Sequence, residues 1–204
     1  MKFQEFKKIP RLSREMIITE KIDGTNASIS IFNILELTPE ELAHPEISWI
    51  DISYEGSNFI MIAGSRNRYI STVQENAGFA HWVKDNKDDL IKLGTGIHYG
   101  EWWGKGIQRG YGLKEKKFSL FNVSRWDDPT TRPECCDVVP TLYTGIFSTN
   151  MIDIVIGYLA QHGSTAAPGY MKPEGIVIFH TAGGYMFKKT IENDESPKSL
   201  VKEE

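Results

Sequence analysis

The chain has 204 residues, 40% of them hydrophobic and 25% charged, which is the composition of a folded domain and excludes disorder along its whole length. That length buries a core without disulfides or structural metal, and it predicts a single domain over 1–204. The formal charge is −4, from 23 Lys and Arg against 27 Asp and Glu, so bulk charge gives no sign of nucleic-acid binding and any such sign must be local.

The opening segment, Met1 to Arg14, is basic and amphipathic, with five Lys or Arg residues and no apolar core of a secretory signal. No run of about 18 apolar residues exists to span a bilayer, so the reading is a cytoplasmic protein. Met16 to Thr19 predicts a strand, Glu20 to Asn26 a turn around Gly24, and the alternating Ala27 to Phe32 a second strand. Leu35 to His44 carries the helix-start signal Thr38-Pro39-Glu40-Glu41 and reads as an insertion between strands. Phe59 to Ala63 is another short strand, followed by the polar Gly64 to Arg68. Val73 to Leu93 places Phe79, Trp82, Val83, Leu90 and Ile91 at helical spacing and ends at Gly94, which predicts one helix.

A glycine-rich stretch, Gly94 to Gly112, contains Tyr99-Gly100-Glu101-Trp102-Trp103. Phe118 to Val123 predicts a strand, Asp127 to Pro140 a loop, and Ile152 to His162 a helix stopped by Gly163. Gly175 to His180 and Tyr185 to Thr190 predict a hairpin around Gly183-Gly184, before a polar tail over about 193–204. Strands joined by short turns, with two or three helices, make the fold class α+β. The adjacent Cys135 and Cys136 rarely form an unstrained disulfide, and no His or Cys group has zinc-ligand spacing. They read as buried or loop thiols without a catalytic role.

One turn stands out: Glu20-Lys21-Ile22-Asp23-Gly24-Thr25-Asn26. Alone it is a surface turn with a solvated lysine. Three later segments supply what a lysine nucleophile needs: Glu101 in Tyr99 to Gly104, Glu174 in Pro173-Glu174-Gly175-Ile176-Val177-Ile178, and the cations of Phe187-Lys188-Lys189-Thr190. With Arg66 and Phe121, these segments resemble, in order, motifs I, Ia, III, IIIa, IV and V of the covalent nucleotidyltransferases, the superfamily of polynucleotide ligases and mRNA capping enzymes. The RNA ligase 2-like branch is the most similar, on Lys-x-Asp-Gly-Thr-Asn, the run from Gly100 to Gln108, and Glu-Gly-hydrophobic at Glu174. The resemblance runs from Glu20 to Thr190.

It implies a nucleotidyltransferase domain of antiparallel sheets flanked by helices, with an ATP pocket between the sheets. It further implies an ATP-dependent RNA ligase that joins RNA ends, a 5′-phosphate and a 3′-OH, with ATP and Mg²⁺ as cofactors. Lys21 would be the nucleophile that forms lysyl-AMP. A lysine amine is mostly protonated at neutral pH, so such a nucleophile needs desolvation or neighbouring positive charge. By the same resemblance Glu174 would bind the metal, Lys188 a nucleotide phosphate, and Glu101 the ribose hydroxyls. Phe121 would stack on adenine, with Phe118 as the alternative ring. Arg66 would hold a phosphate, with Arg68 as the alternative, Glu20 would recognise the adenine edge, and Asn26 matches a position near the strand junction.

Other residues have plainer readings. Trp102 and Trp103 are expected to pack, and His98 to be a structural histidine. Lys105, Arg109, Lys114, Lys116 and Lys117 form a basic cluster that is a solvated loop face by default and a phosphate path by extension. The pattern departs from the family in two places. Ligases usually carry motif V lysines two apart, whereas Thr190 stands at the second position here. Either Lys189 takes over through a local bulge or one phosphate contact is missing. Only 14 residues follow Thr190, so the expectation is a bare catalytic domain without the C-terminal OB or helical domain of relatives, with a helper protein in its place or a restricted substrate as the two options. DNA ligation, capping-type guanylyl transfer, and a nucleotide- or RNA-end-binding module without turnover are the competing functions.

Overall fold

A computed structural model describes residues 3–42 and 48–195. In chain order the elements are β1 (Glu15–Lys21), β2 (Thr25–Asn33), α1 (Pro39–Leu42), β3 (Ile50–Tyr54), β4 (Ser57–Ser65), β5 (Tyr69–Ile70), α2 (Phe79–Asp85) and α3 (Lys87–Leu90). They continue with β6 (Gly96–Gly104), β7 (Lys116–Leu120), α4 (Val123–Trp126), β8 (Cys136–Val138), β9 (Thr141–Ile146), α5 (Thr149–His162), β10 (Gly175–His180) and β11 (Tyr185–Thr190). The fold is α+β. Two compact units make it up, one of residues 1–22 and 140–204, the other of residues 23–139. Among the described residues no helix is long and apolar enough to cross a membrane.

The first unit is a four-stranded antiparallel sheet in the order β11-β10-β1-β9. Alternation sets its faces. Met16 and Ile18 of β1 and Ile176 and Ile178 of β10 point one way and pack on Val155 and Leu159 of α5. Helix α5 starts where the Ser148 hydroxyl accepts from the Met151 N–H at 3.3 Å, and it stops at Gly163, whose φ of 84° suits glycine.

The second unit is a seven-stranded sheet, β3-β4-β2-β6-β7-β8 with β5 paired to β4. All its ladders are antiparallel except β7 with β8, which is parallel. One face carries Ile29, Ile31, Met61, Trp102 and Phe118 against Phe79, Ala80 and Val83 of α2. Aromatic rings close this core: Phe79 lies 5.3 Å from Trp102 and 5.1 Å from Phe118, and Trp82 lies 5.2 Å from Trp102, centroid to centroid.

Several sequence expectations change in detail. The single helix over Val73 to Leu93 is broken: α2 begins only after Gly78, and Asn86 leaves helical geometry between α2 and α3 while its side-chain amide donates to the Trp82 carbonyl at 2.8 Å. The helix over Leu35 to His44 reduces to a 3₁₀ turn, Ile34–Glu36, and α1, with residues 43–44 outside the described residues. Its start signal holds, since the Thr38 hydroxyl accepts from the Glu41 N–H and the Glu41 carboxylate accepts from the Thr38 N–H. The glycine-rich stretch contains β6, a central strand. Gly100 is needed there because a Cβ would meet the Ser119 carbonyl at 2.5 Å and the Phe118 ring at 2.6 Å. The strand from Phe118 ends at Leu120, and Val123 already starts α4 under an Asn122 cap. Strands β3, β5, β8 and β9 have no counterpart in the sequence expectations, β8 being three residues inside the predicted loop. The tail beyond residue 195 lies outside the described residues.

Phe118 is fully buried among these rings. Phe118→Ala is expected to lower stability by about 3–5 kcal/mol, read from denaturant unfolding midpoints, because the vacated volume cannot collapse in a packed aromatic core.

Candidate active site

In the first unit the register of three strands places the chemistry. Lys21, the last residue of β1, pairs with Gly175, the first of β10, and Gly175 pairs with Thr190, the last of β11. Paired residues share a face, so Lys21 and Thr190 lie on the face turned away from α5, and Lys188 joins them two residues back along β11. The Lys21 ammonium meets the Glu174 carboxylate at 2.5 Å, with the lysine side chain 23% exposed and the glutamate 2%. Gly175 is required beside them. A Cβ there would meet the Lys189 carbonyl at 2.2 Å and the Thr190 Cα at 2.7 Å.

Lys189 lies on the opposite face. It shares a row with Glu20 and Ile176 and donates to Asp153 of α5 at 2.6 Å. The β10–β11 ladder runs in regular register from Gly175–Thr190 to His180–Tyr185, so the bulge that would turn Lys189 towards Lys21 is not there. Thr190, not Lys189, is the residue that follows Lys188 on the Lys21 face.

Glu20 also points to the α5 side, and it is 1% exposed. One carboxylate oxygen accepts from the Ser164 hydroxyl at 2.5 Å, the other from the Thr165 and Ala166 N–H groups at 2.8 and 2.9 Å. The carboxylate thus holds the loop after α5 rather than presenting open oxygens. Burial pushes its pKa above the usual carboxylate range, against the lowering effect of these three hydrogen bonds.

The remainder of motif I belongs to the second unit. Arg109 donates from Nε to the Asp23 carboxylate at 3.0 Å, and the Asp23 N–H donates to the Tyr111 hydroxyl at 2.8 Å. Gly24 passes directly over β6, where a Cβ would meet the Trp102 carbonyl at 2.5 Å. That closeness lets the Gly24 N–H donate to Glu101 Oε1 at 3.0 Å, while the Asn26 amide donates to Oε2 at 3.0 Å. Asn26 and Glu101 are also register partners of β2 and β6. The motif I turn and the motif III carboxylate are therefore one hydrogen-bonded assembly.

Phe121 follows β7 directly, is 38% exposed, and donates its N–H to the Tyr99 carbonyl. Of the two candidate rings only Phe121 has a free face, because Phe118 is spent in the core. Arg66 follows the last residue of β4 and is exposed. Arg68 folds back, its carbonyl accepting from the Ser65 N–H at 2.8 Å and its guanidinium donating to Gln74 at 3.4 Å.

The family's sequence profile, described as RNA ligase, matches residues 14–190. The chain belongs to the RNA ligase family. Among solved structures it is similar to a Naegleria gruberi RNA ligase variant with ATP and Mn, at a TM-score of 0.56 and 18% identity over 89% of this chain and 51% of that one. It is similar also to a variant of that ligase with AMP and Mn, at 0.56 and 19% identity over 87% and 49%. The same ligase with PPi matches at 0.55 and 20% identity over 87% and 50%. The chain spans about half the length of these structures' chains. No curated protein matches it.

The chemistry near Lys21 includes one buried carboxylate, Glu174, of the hard oxygen type that divalent cations such as Mg²⁺ take. Glu174 offers carboxylate oxygen, and among the described residues no group of three His, Cys, Asp or Glu side chains is placed to cage an ion. Mg²⁺ commonly binds through one or two carboxylates, with water and substrate phosphate completing its shell.

The remaining candidates are structural. Trp103 donates to the Ser119 hydroxyl and Trp102 to the Ala77 carbonyl, both at 2.9 Å. The His98 ring nitrogen bonds the Gly94 carbonyl, and burial pushes this imidazole below its ordinary pKa. In the basic cluster Arg109 pairs with Asp23 and Lys117 with Asp137, while Lys116 donates to the Ala77 carbonyl. Cys135 and Cys136 are free thiols, and the neighbouring thiol together with burial pushes that of Cys136 up. Ser164, Thr165, Ala166 and Tyr111 escaped the sequence reading, since neither a loop after a helix nor a lone tyrosine in a glycine-rich run signals its distant partner.

The raised pKa of Glu20 means that the folded protein binds this proton more tightly than the unfolded chain. Its contribution to stability is present at low pH and falls as pH rises towards the folded value. Glu20→Gln keeps one side-chain oxygen to accept from the Thr165 and Ala166 N–H groups and has the shape of the protonated carboxyl, so it is expected to cost little at acid pH. The variant is expected to gain stability relative to wild type as pH rises, measured by urea unfolding between about pH 4 and 8, because it carries no buried charge.

Proposed function

We propose that the chain is the adenylylating part of an ATP-dependent RNA ligase. Family membership supports this reading, and one observation carries it: the Lys21 ammonium sits against the buried Glu174 carboxylate, on the sheet face that also bears Lys188. Solved relatives of the same fold were determined with ATP and Mn, and with AMP and Mn.

In the proposed reaction the Lys21 amine, once deprotonated, attacks the α-phosphorus of ATP. The N–P bond forms, the bond to the β-phosphate oxygen breaks, and pyrophosphate leaves. An oxygen of an RNA 5′-phosphate then attacks the same phosphorus and breaks the N–P bond, giving a 5′-adenylylated end. Finally an RNA 3′-OH attacks the end phosphate and expels AMP. A divalent cation, Mg²⁺ in the expected case, would neutralise phosphate charge, with Glu174 as its protein ligand. Lys188 lies on the Lys21 face and is the cation assigned to nucleotide phosphate.

From the family resemblance, Glu101 takes the ribose hydroxyls, Phe121 the adenine ring and Arg66 a phosphate. Asn26 orients Glu101, to which it already donates. Glu20 is given a positioning role, because its oxygens are engaged by the 164–166 loop. Lys189, turned to Asp153, is left outside the phosphate contacts.

The test is covalent labelling with α-labelled ATP and Mg²⁺ on a denaturing gel. Wild type should carry label, or should leave purification already adenylylated by intact mass, and Lys21→Ala should carry none. An unlabelled, unmodified wild type would instead identify a binding module without turnover. Lys188→Ala and Lys189→Ala separate the two faces. Lys188→Ala is expected to slow labelling by about 10²-fold or more, the scale of losing one transition-state charge contact, while Lys189→Ala changes it less than about threefold.

A further inference from the structure

We propose that the N-terminal arm, residues 2–14, is a single-strand RNA-binding element that grips the strand independently of the adenylylation chemistry. The inference rests on the RNA ligase reading for the identity of the polyanion. The arm carries Lys2, Lys7, Lys8, Arg11 and Arg14 against one acid, Glu5, a net charge of +4 in a chain whose total is −4. Positive charge is therefore concentrated on a segment of thirteen residues, which complements a phosphate backbone that the chain as a whole would repel.

The apolar side chains of the same arm are not used by the fold. Phe3 is 93% exposed, Phe6 83%, Ile9 75% and Leu12 66%. They recur every third residue between the cations, so aromatic faces and charges alternate along one strand of backbone. Single-stranded nucleic acid is held by this combination, in which bases stack on exposed rings and cations follow the phosphates.

From Phe3 to Arg14 the backbone forms neither helix nor strand, and Pro10 lacks an N–H for either. A membrane-surface segment of this composition would need a helix to gather its apolar residues on one side. The arm is nevertheless anchored at its base. The His180 Nδ1 accepts from the Gly183 N–H at 2.9 Å, which leaves Nε2 to donate to the Leu12 carbonyl at 2.8 Å. The Arg14 carbonyl accepts from the Phe147 N–H at 2.8 Å. From that anchor the chain runs directly into β1, which ends at Lys21.

The experiment is fluorescence anisotropy of the full chain with a labelled, 5′-phosphorylated single-stranded RNA of about a dozen nucleotides, over a series of salt concentrations. Lysyl-AMP labelling is measured in parallel. Lys7→Gln/Lys8→Gln/Arg11→Gln should flatten the slope of log affinity against log salt by about 2, at roughly 0.7 per phosphate contact. Phe3→Ala/Phe6→Ala should weaken binding about tenfold or more at unchanged slope. Both variants should label as wild type does, because none of these residues belongs to the site.

The inference is overturned if wild type does not bind the RNA, or if both variants bind it as wild type does. It is also overturned if the substitutions abolish sedimentation with phosphatidylserine vesicles and leave RNA affinity intact. Loss of RNA binding in the variants of a chain that never labels would support the arm while refuting the ligase reading, so the two failures are distinct.

Discussion

A cation and a carboxylate 153 residues apart in the chain meet at the ends of two neighbouring strands because Lys21 pairs with Gly175. Everything else in the first unit serves that register. The apolar rows Met16, Ile18, Ile176 and Ile178 must face α5, which leaves the intervening residues no choice but the other side. A slip of one residue would move Lys21 into the apolar layer and Glu20 out of it, a change that costs burial along the whole strand. The register of β1 and β10 is therefore fixed by hydrophobic burial, and the lysine–carboxylate pair follows from it.

The same alternation explains how two adjacent lysines come to face different surroundings. Lys188 and Lys189 share a strand end and differ only in parity. Without a bulge, consecutive residues must point to opposite faces. Lys189 therefore pairs with Asp153 on the helix side, and Lys188 stays with Lys21. Thr190 returns to the Lys21 face and brings a hydroxyl there.

Motif I divides its duties between the two units. Lys21 ends a strand of the first, whereas Asp23, Gly24 and Asn26 are hydrogen-bonded within the second, to Arg109, Tyr111 and Glu101. The glycine is there for clearance over β6, and the acid for an ion pair that braces the start of β2. Residues that read as one short chemical motif are thus mostly scaffold, with Lys21 alone among them turned to Glu174.

What the sequence determined by itself was local in origin. Alternation in Ala27 to Phe32, the apolar run in Gly175 to His180 before Gly183-Gly184, the glycine stops of helices, and the ordered segments from Lys21 to Lys188 that resemble ligase motifs are carried by short stretches of chain, so they are legible in one dimension. Strand β6 was hidden because its glycines, ordinarily strand breakers, are required by close packing against β7. The choice between Phe118 and Phe121, the direction of Lys189, and the capture of Glu20 by Ser164, Thr165 and Ala166 were decided only by the tertiary structure. Each depends on which face a residue shares with an element tens of residues away, and side-chain parity acquires meaning only once a core has chosen its side.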